Sequence, residues 1–338
     1  MKLIITSLFY ILTCSSSLTA QVKNVVFEGA GIRGIAYAGA IEAMEQKGML
    51  KDIEKVGGTS AGAITAMLLS IGYTSTEVAS IIQKTPFKSF NQGRFLLFGG
   101  INRVRKYYGW YHGERMERWL GNLIEAKTND ADITFSQMKQ KGYKDLYITA
   151  TCLNKQSLII LSYETYPHMK VKDAVRISVS IPLYFEPVFI NQSGSIVKHP
   201  RSTANLDVMV DGGFIANFPI RIFDSTRYTS SSLPNKYEVN PYTLGFRVDS
   251  DAQIVSDHKN GGLVPLSIKR FSHYMNAFYT LVIENLNRQA LSLEDWQRTV
   301  AVSDGNISPR IRQLSKTEVQ RLYNNGLTAA TTYLLEKR

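Results

Sequence analysis

From residue 22 the chain opens with VKNVVFE (22–28), a short β-branched run, then GAGIRG (29–34), then IAYAGAIEAMEQKG, which is small and apolar on nearly every side as far as Ala43. That succession predicts a strand, a glycine turn and a buried helix stopped at Gly48. The pattern repeats at once: KVGGTSAG (55–62) runs into AITAMLLSIG, again apolar all round and stopped by Gly72. Two consecutive strand-turn-helix units imply an α/β fold, with a mainly parallel central sheet covered by helices on both faces, because parallel strands need a crossover between them. Further strands are predicted at DLYITATCL (145–153), LIILSYE (158–164), NLDVMVDGG (205–213) and TLGFRVD (243–249), with helices through KVKDAVRISVS, around 265–292 and around 316–335. The polar, Gly- and Asn-containing stretches 191–204, 229–241 and 250–263 read as surface loops.

The first twenty residues read differently. MKLIITSLFYILTCSSSLTAQ has one Lys, an uncharged apolar run over 3–12 and small polar residues closing at Ala20, the pattern of a signal peptide that exports the mature chain. A lipoprotein variant acylated at Cys14 is the weaker reading, because Thr13 is large for the position before such a cysteine. Cleavage after Ala20 leaves Cys152 as the only thiol and no intrachain disulfide. No linker divides residues 21–338, so they read as one domain.

A net charge of +11 favours an anionic partner, nucleic acid or an anionic lipid surface. Much of the excess sits in residues 84–118, where eight Lys and Arg are opposed by Glu114 and Glu117 and interleaved with eight aromatic residues. The segment suggests a lid or a membrane-contact surface, with Arg103, Arg105, Lys106 and Trp110 as candidate contacts. The alternative is a set of core aromatics beneath a solvated charged face. No helix-turn-helix, zinc or RNA-binding signature accompanies the charge, which argues against nucleic acid.

The sharpest chemical signal is Gly58-Thr59-Ser60-Ala61-Gly62, a G-x-S-x-G between a short strand and a buried helix, the setting of a nucleophile elbow. Ser60 as a simple helix cap is the competing reading. GAGIRG also fits a dinucleotide fingerprint, but the next strand runs into Gly57 and Gly58 rather than an acidic residue, so that reading fails. Adjacent parallel strands would instead bring the turn beside Ser60, where N–H groups of residues 30–32 could meet an oxyanion. None of His112, His168, His199, His258 and His273 sits at a recognisable strand end. Asp211 does: it closes LDVMV ahead of Gly212 and Gly213, either as a turn residue or as a base.

Taken together, GAGIRG, GTSAG and VDGGFIANFP (210–219) resemble the patatin-like phospholipase family, with SVSIPLYFEPV (178–188) and TFSQM (134–138) as further landmarks, over about residues 22–220. The resemblance implies that Ser60 is the nucleophile, Asp211 the base, and Gly29, Ala30, Gly31, Ile32 and Arg33 the oxyanion loop, with no metal and no cofactor. It also implies a phospholipid or other acyl-lipid substrate at a membrane surface, cleaved in phospholipase A or lysophospholipase fashion through an acyl-enzyme. A catalytically idle membrane-binding relative and a Ser-His-Asp esterase are the alternatives. The family's middle glycine is Ala30 here, so either position 30 has ordinary φ or the loop is altered.

Overall fold

The computed structural model describes residues 21–85, 87–91, 103–229, 236–259, 262–285, 288–310 and 312–337. The expected leader, with Cys14, and residues 92–102 of the basic segment lie outside them. Ten strands are described: β1 (Asn24–Phe27), β2 (Lys55–Gly58), β3 (Gly109–Tyr111), β4 (Asp145–Cys152), β5 (Ser157–Leu161), β6 (Leu183–Phe185), β7 (Val188–Ile190), β8 (Asp207–Asp211), β9 (Thr243–Asp249) and β10 (Thr299–Ser303). The helices that matter below are α1 (Ala36–Gln46), α2 (Ala61–Ser70), α3 (Ser75–Lys84), α4 (Glu114–Thr128), α5 (Phe135–Gln140), α6 (Val171–Ser178), α7 (Gly213–Ala216), α8 (Asp251–His258), α9 (Phe271–Tyr279), α10 (Leu293–Gln297) and α11 (Lys316–Glu336).

One eight-stranded sheet carries the fold, and β10, β9, β1, β2 and β4 are paired parallel in that order. Strand alternation sorts its side chains between two faces. Val25, Phe27, Val56, Ile148, Phe246 and Val248 join the larger core, beneath α1, α2 and α11. Val26 and Tyr147 point to the other face, where they meet Phe223. The sequence places helices on both faces, and α10 covers part of this second one through Trp296, which lies 5.3 Å from the Arg247 guanidinium.

β4 has two neighbours on one edge. Ile148 pairs with both Gly58 of β2 and Leu161 of β5, and Ala150 pairs with both Ile159 of β5 and Asp211 of β8. Since β5 occupies one edge throughout, β2 and β8 must share the other. β2 runs parallel to β4 and β8 antiparallel, so their carboxyl ends point at each other, two residues of β4 apart, or about 7 Å. This head-on arrangement is what brings the turn after β2 to the end of β8.

α1 is apolar on nearly every side from Ala36 to Met44 because that stretch is packed. It lies against α11 so closely that a Cβ added to Gly326 would stand 1.8 Å from the Ala36 carbonyl oxygen, and one added to Gly39 would stand 2.0 Å from that of Tyr323. Among the described residues no helix is long and apolar enough to cross a membrane.

Gly326→Ala should therefore destabilise the protein by about 1–3 kcal/mol despite the better helix propensity of alanine, because two backbones must separate. Gly121→Ala, in α4 with no atom nearer than 3.6 Å to the added carbon, should instead be neutral or stabilise by roughly 0.5–1 kcal/mol. Urea unfolding of both variants checks the contrast.

Candidate active site

The turn between β2 and α2 is strained at one residue. Ser60 has φ 53 and ψ −118, a region that L-residues rarely occupy and that persists only where neighbours enforce it. Several do. The Ser60 N–H donates to Ser178 Oγ at 2.9 Å, and the Thr59 hydroxyl donates to the Ala216 carbonyl at 2.7 Å. Gly62 lies so near β1 that a Cβ there would be 2.2 Å from the Phe27 carbonyl oxygen. Although Ser60 immediately precedes α2, its side chain makes no capping hydrogen bond, so the capping reading of this serine fails.

Asp211 ends β8 and is 2% exposed. Burial drives its carboxyl up to about pH 7, while hydrogen bonds from the Gly213 N–H and the Ser60 hydroxyl pull the other way without cancelling the effect. The Gly213 N–H donates to Oδ1 at 2.8 Å. Serine and carboxyl are thus brought together, the first lining the cavity described below and the second buried behind it. A proton acceptor poised near neutrality beside a hydroxyl on a strained turn can activate that hydroxyl as a nucleophile.

The glycine loop, residues 29–33, follows β1. Ala30 has φ −123 and Gly31 has φ 55, so the one position that demands left-handed backbone is still a glycine, and Ala30 sits in an ordinary conformation. The amides of the loop are not equivalent. Gly29 donates to the Asn217 carbonyl at 3.0 Å, Ile32 to the Pro309 carbonyl at 3.3 Å, and Arg33 to the Ala30 carbonyl at 3.2 Å. Among the described hydrogen bonds none is donated by the Ala30 or Gly31 amide, which narrows the expected donors from residues 30–32 to these two. The Arg33 side chain is buried and turned away, with Nε on the Ala30 carbonyl at 3.3 Å and a guanidinium nitrogen 3.4 Å from Asp304.

Two contributors were not singled out in the sequence. Asn217 grips the start of the loop, its Nδ2 donating to the Gly29 carbonyl at 2.9 Å while its own carbonyl takes the Gly29 N–H. Ser178 fixes the Ser60 amide. Both lie within quoted motifs, VDGGFIANFP and SVSIPLYFEPV, and an invisible signal, their partners elsewhere in the chain, is what gives them a role.

A cavity of about 480 Å³ opens over Ser60, within the roughly 300–1,000 Å³ range of small-molecule sites. Gly31, Ile32 and Ile35 line it on the loop side; Ile64, Phe90, Trp119 and Phe185 make it apolar; Met275, Tyr279, Pro309 and Arg310 line it from the C-terminal third. No histidine lines it, and the described residues hold no group of His, Cys, Asp and Glu that could bind a metal.

The basic segment divides. Phe87 and Phe90 turn inward onto Trp119, with ring centroids 6.4 and 5.4 Å away. Arg103 pairs with Glu186 at 2.8 Å and Trp110 is half-buried against the core, whereas Arg105 and Lys106 are exposed. Ser60 and, from the loop, Gly31 and Ile32 line the cavity; Asp211, Arg103, Arg105, Lys106 and Trp110 are not part of its lining.

Comparison with known proteins agrees with this architecture. Among sequence relatives, the uncharacterized protein YqhO of Bacillus subtilis (strain 168) is 37% identical over 212 residues, 60% of this chain and 67% of the relative. "Probable lipid hydrolase 463L" of Invertebrate iridescent virus 6 is 29% identical over 201 residues, 59% of this chain and 62% of the relative, so the chain spans about two thirds of these proteins or less. Among solved structures, VipD from Legionella pneumophila matches with a TM-score of 0.54 over 94% of this chain and 67% of that one, at 14% identity, a likeness of fold. A family profile described as "Patatin-like phospholipase" matches residues 25–224, which contain all but the first residue of β1, the glycine loop, Ser60 and Asp211, and the chain belongs to that family.

Proposed function

We propose that this protein is an exported lipid acyl hydrolase that cleaves carboxylic esters through a Ser60–Asp211 dyad. The observation that carries the reading is a serine on a strained turn at the floor of an apolar cavity, beside a buried carboxyl whose proton affinity is raised to near neutrality. In the first half-reaction Ser60 Oγ attacks the ester carbonyl carbon and its proton passes to Asp211. The oxyanion is met by the Ala30 and Gly31 N–H groups and by the positive end of α2. As the carbon–oxygen bond to the alcohol breaks, Asp211 returns the proton to the leaving oxygen, and the acyl group remains on Ser60. Water then repeats the sequence, with Asp211 again as base. An acyl chain in the cavity satisfies its apolar walls, which supports a lipid substrate over a small polar ester. The name of the iridescent-virus relative points the same way.

Ser60→Ala and Asp211→Asn should each lower turnover of a p-nitrophenyl acyl ester by at least about 10⁴, and the double variant should be no worse, because the pair acts as a unit. Retention of more than about a hundredth of wild-type turnover by Ser60→Ala would sink the assignment. Labelling by a fluorophosphonate probe, read by mass spectrometry, should fall on Ser60.

The base works only when ionised, so kcat/KM should rise with pH and level off above about 7. Stability should show the opposite trend. The folded-state value lies above the unfolded 3.8, so the contribution of the protonated carboxyl is present in full below pH 4 and is lost as pH rises through about 7. Asp211→Asn, neutral throughout, should gain in melting temperature relative to wild type across that window.

Arg33→Ala should act mainly on stability. Breaking its buried contact to Asp304 should cost roughly 3 kcal/mol, and Asp304→Ala a similar amount. Turnover should fall together with loop order, and unfolding curves set beside specific activity separate the two. A variant of full stability with turnover lowered about 100-fold would return Arg33 to the oxyanion machinery.

A further inference from the structure

One apolar surface is left without a cover. Leading into and along α9, Leu266, Ile268, Phe271, Tyr274, Phe278 and Leu281 are between 49% and 76% exposed. Residues 271, 274, 278 and 281 follow the spacing that on a globular protein's helix forms the stripe turned to the core. Here the stripe faces solvent, and contiguous large apolar patches of this kind mark interaction surfaces.

Its setting says what the surface meets. Met275 and Tyr279, next to the stripe on the same helix, line the cavity over Ser60. Just beyond, Ile283 is buried against Gly213, beside Asp211, and anchors the segment. One apolar arc therefore runs unbroken from the wall of the cavity to the outside of the molecule. Lys269 and Arg270 flank it, both exposed, and residues 263–283 contain no acidic side chain. We propose that the exposed face of α9 docks on an anionic lipid bilayer, inserting Phe271, Tyr274 and Phe278 among the acyl chains so that a lipid can pass along Met275 and Tyr279 to Ser60. This inference rests on the lipid-hydrolase reading above. The occupant is a bilayer because a protein or a second copy seated there would cover the mouth of the cavity, while a bilayer brings the substrate to it. Apolar side chains beside Lys and Arg are the composition that binds such interfaces.

The test separates docking from chemistry. The full chain carrying Ser60→Ala should sediment with vesicles of ether-linked phosphatidylcholine and phosphatidylglycerol, and adding Phe271→Ser with Phe278→Ser should weaken that partition by at least about tenfold. In the otherwise unsubstituted chain the same pair should slow hydrolysis of vesicle lipid yet leave a soluble p-nitrophenyl ester within about twofold. Phe278→Trp, which keeps the face apolar, should show blue-shifted emission on adding vesicles. Undiminished vesicle binding by the serine pair, no emission shift, or a wild-type dimer in sedimentation velocity that the pair dissociates would overturn the docking face. Failure of the unsubstituted chain to hydrolyse any ester would overturn the hydrolase reading, and the vesicle partition would still decide the face.

Discussion

Ser60 is held at φ 53 and ψ −118, and the rest of the site is arranged around that conformation. An isolated chain would leave it at once, since such backbone costs on the order of 1–3 kcal/mol. Here it is enforced from three directions: by β1 through the close approach of Gly62, by α6 through Ser178, and by α7 through the carbonyl of Ala216. Each tie comes from a different part of the chain. The turn can therefore be strained without being loose, which is the condition the proposed nucleophile requires while the helix behind it stays in register.

The second demand on the fold is a carboxyl kept out of water. Asp211 accepts one backbone hydrogen bond and has the serine hydroxyl beside it, too little to offset its burial, and this incomplete compensation is what raises its proton affinity. A buried group elsewhere is treated differently. Asp249 is held by Arg247 at 2.6 Å and Arg288 at 2.6 Å, and those cations keep its carboxyl below the usual carboxylate range despite its own burial. Two buried aspartates at strand ends of one sheet thus differ in state because one faces cations and the other faces a hydroxyl.

Much of this was legible because it is local. The two strand-turn-helix units, the glycine-rich turns and the strand ending at Asp211 are all written within a few residues of themselves, and the order of the three motifs carried the family resemblance. What was missed is non-local. Strand β10 reads as TVAVS, too short to stand out between α10 and the Asp304 turn, and it acquires its identity from pairing with β9. The helix expected across 265–292 is broken, because Arg288 is drawn inward to Asp249 and Ser292 caps a fresh helix with Asp295. Arg33 stands in the oxyanion loop GAGIRG, but the partner of its side chain, Asp304, is 271 residues away. No window of sequence reveals such a contact.

The seat of β9 bears on how the protein comes into being. β1, which leads into the glycine loop, is flanked on one side by β2, made soon after it, and on the other by a strand whose Thr243 pairs with Asn24 across 219 residues. The Ile32 amide waits longer still, for the carbonyl of Pro309. Contacts of such span form late, since a long loop must close before they are rewarded. A nascent chain therefore carries Ser60 and Asp211 well before it owns the wall that orients the glycine loop. On the proposed function, synthesis imposes a delay between having Ser60 and Asp211 and having the loop geometry that would complete the site.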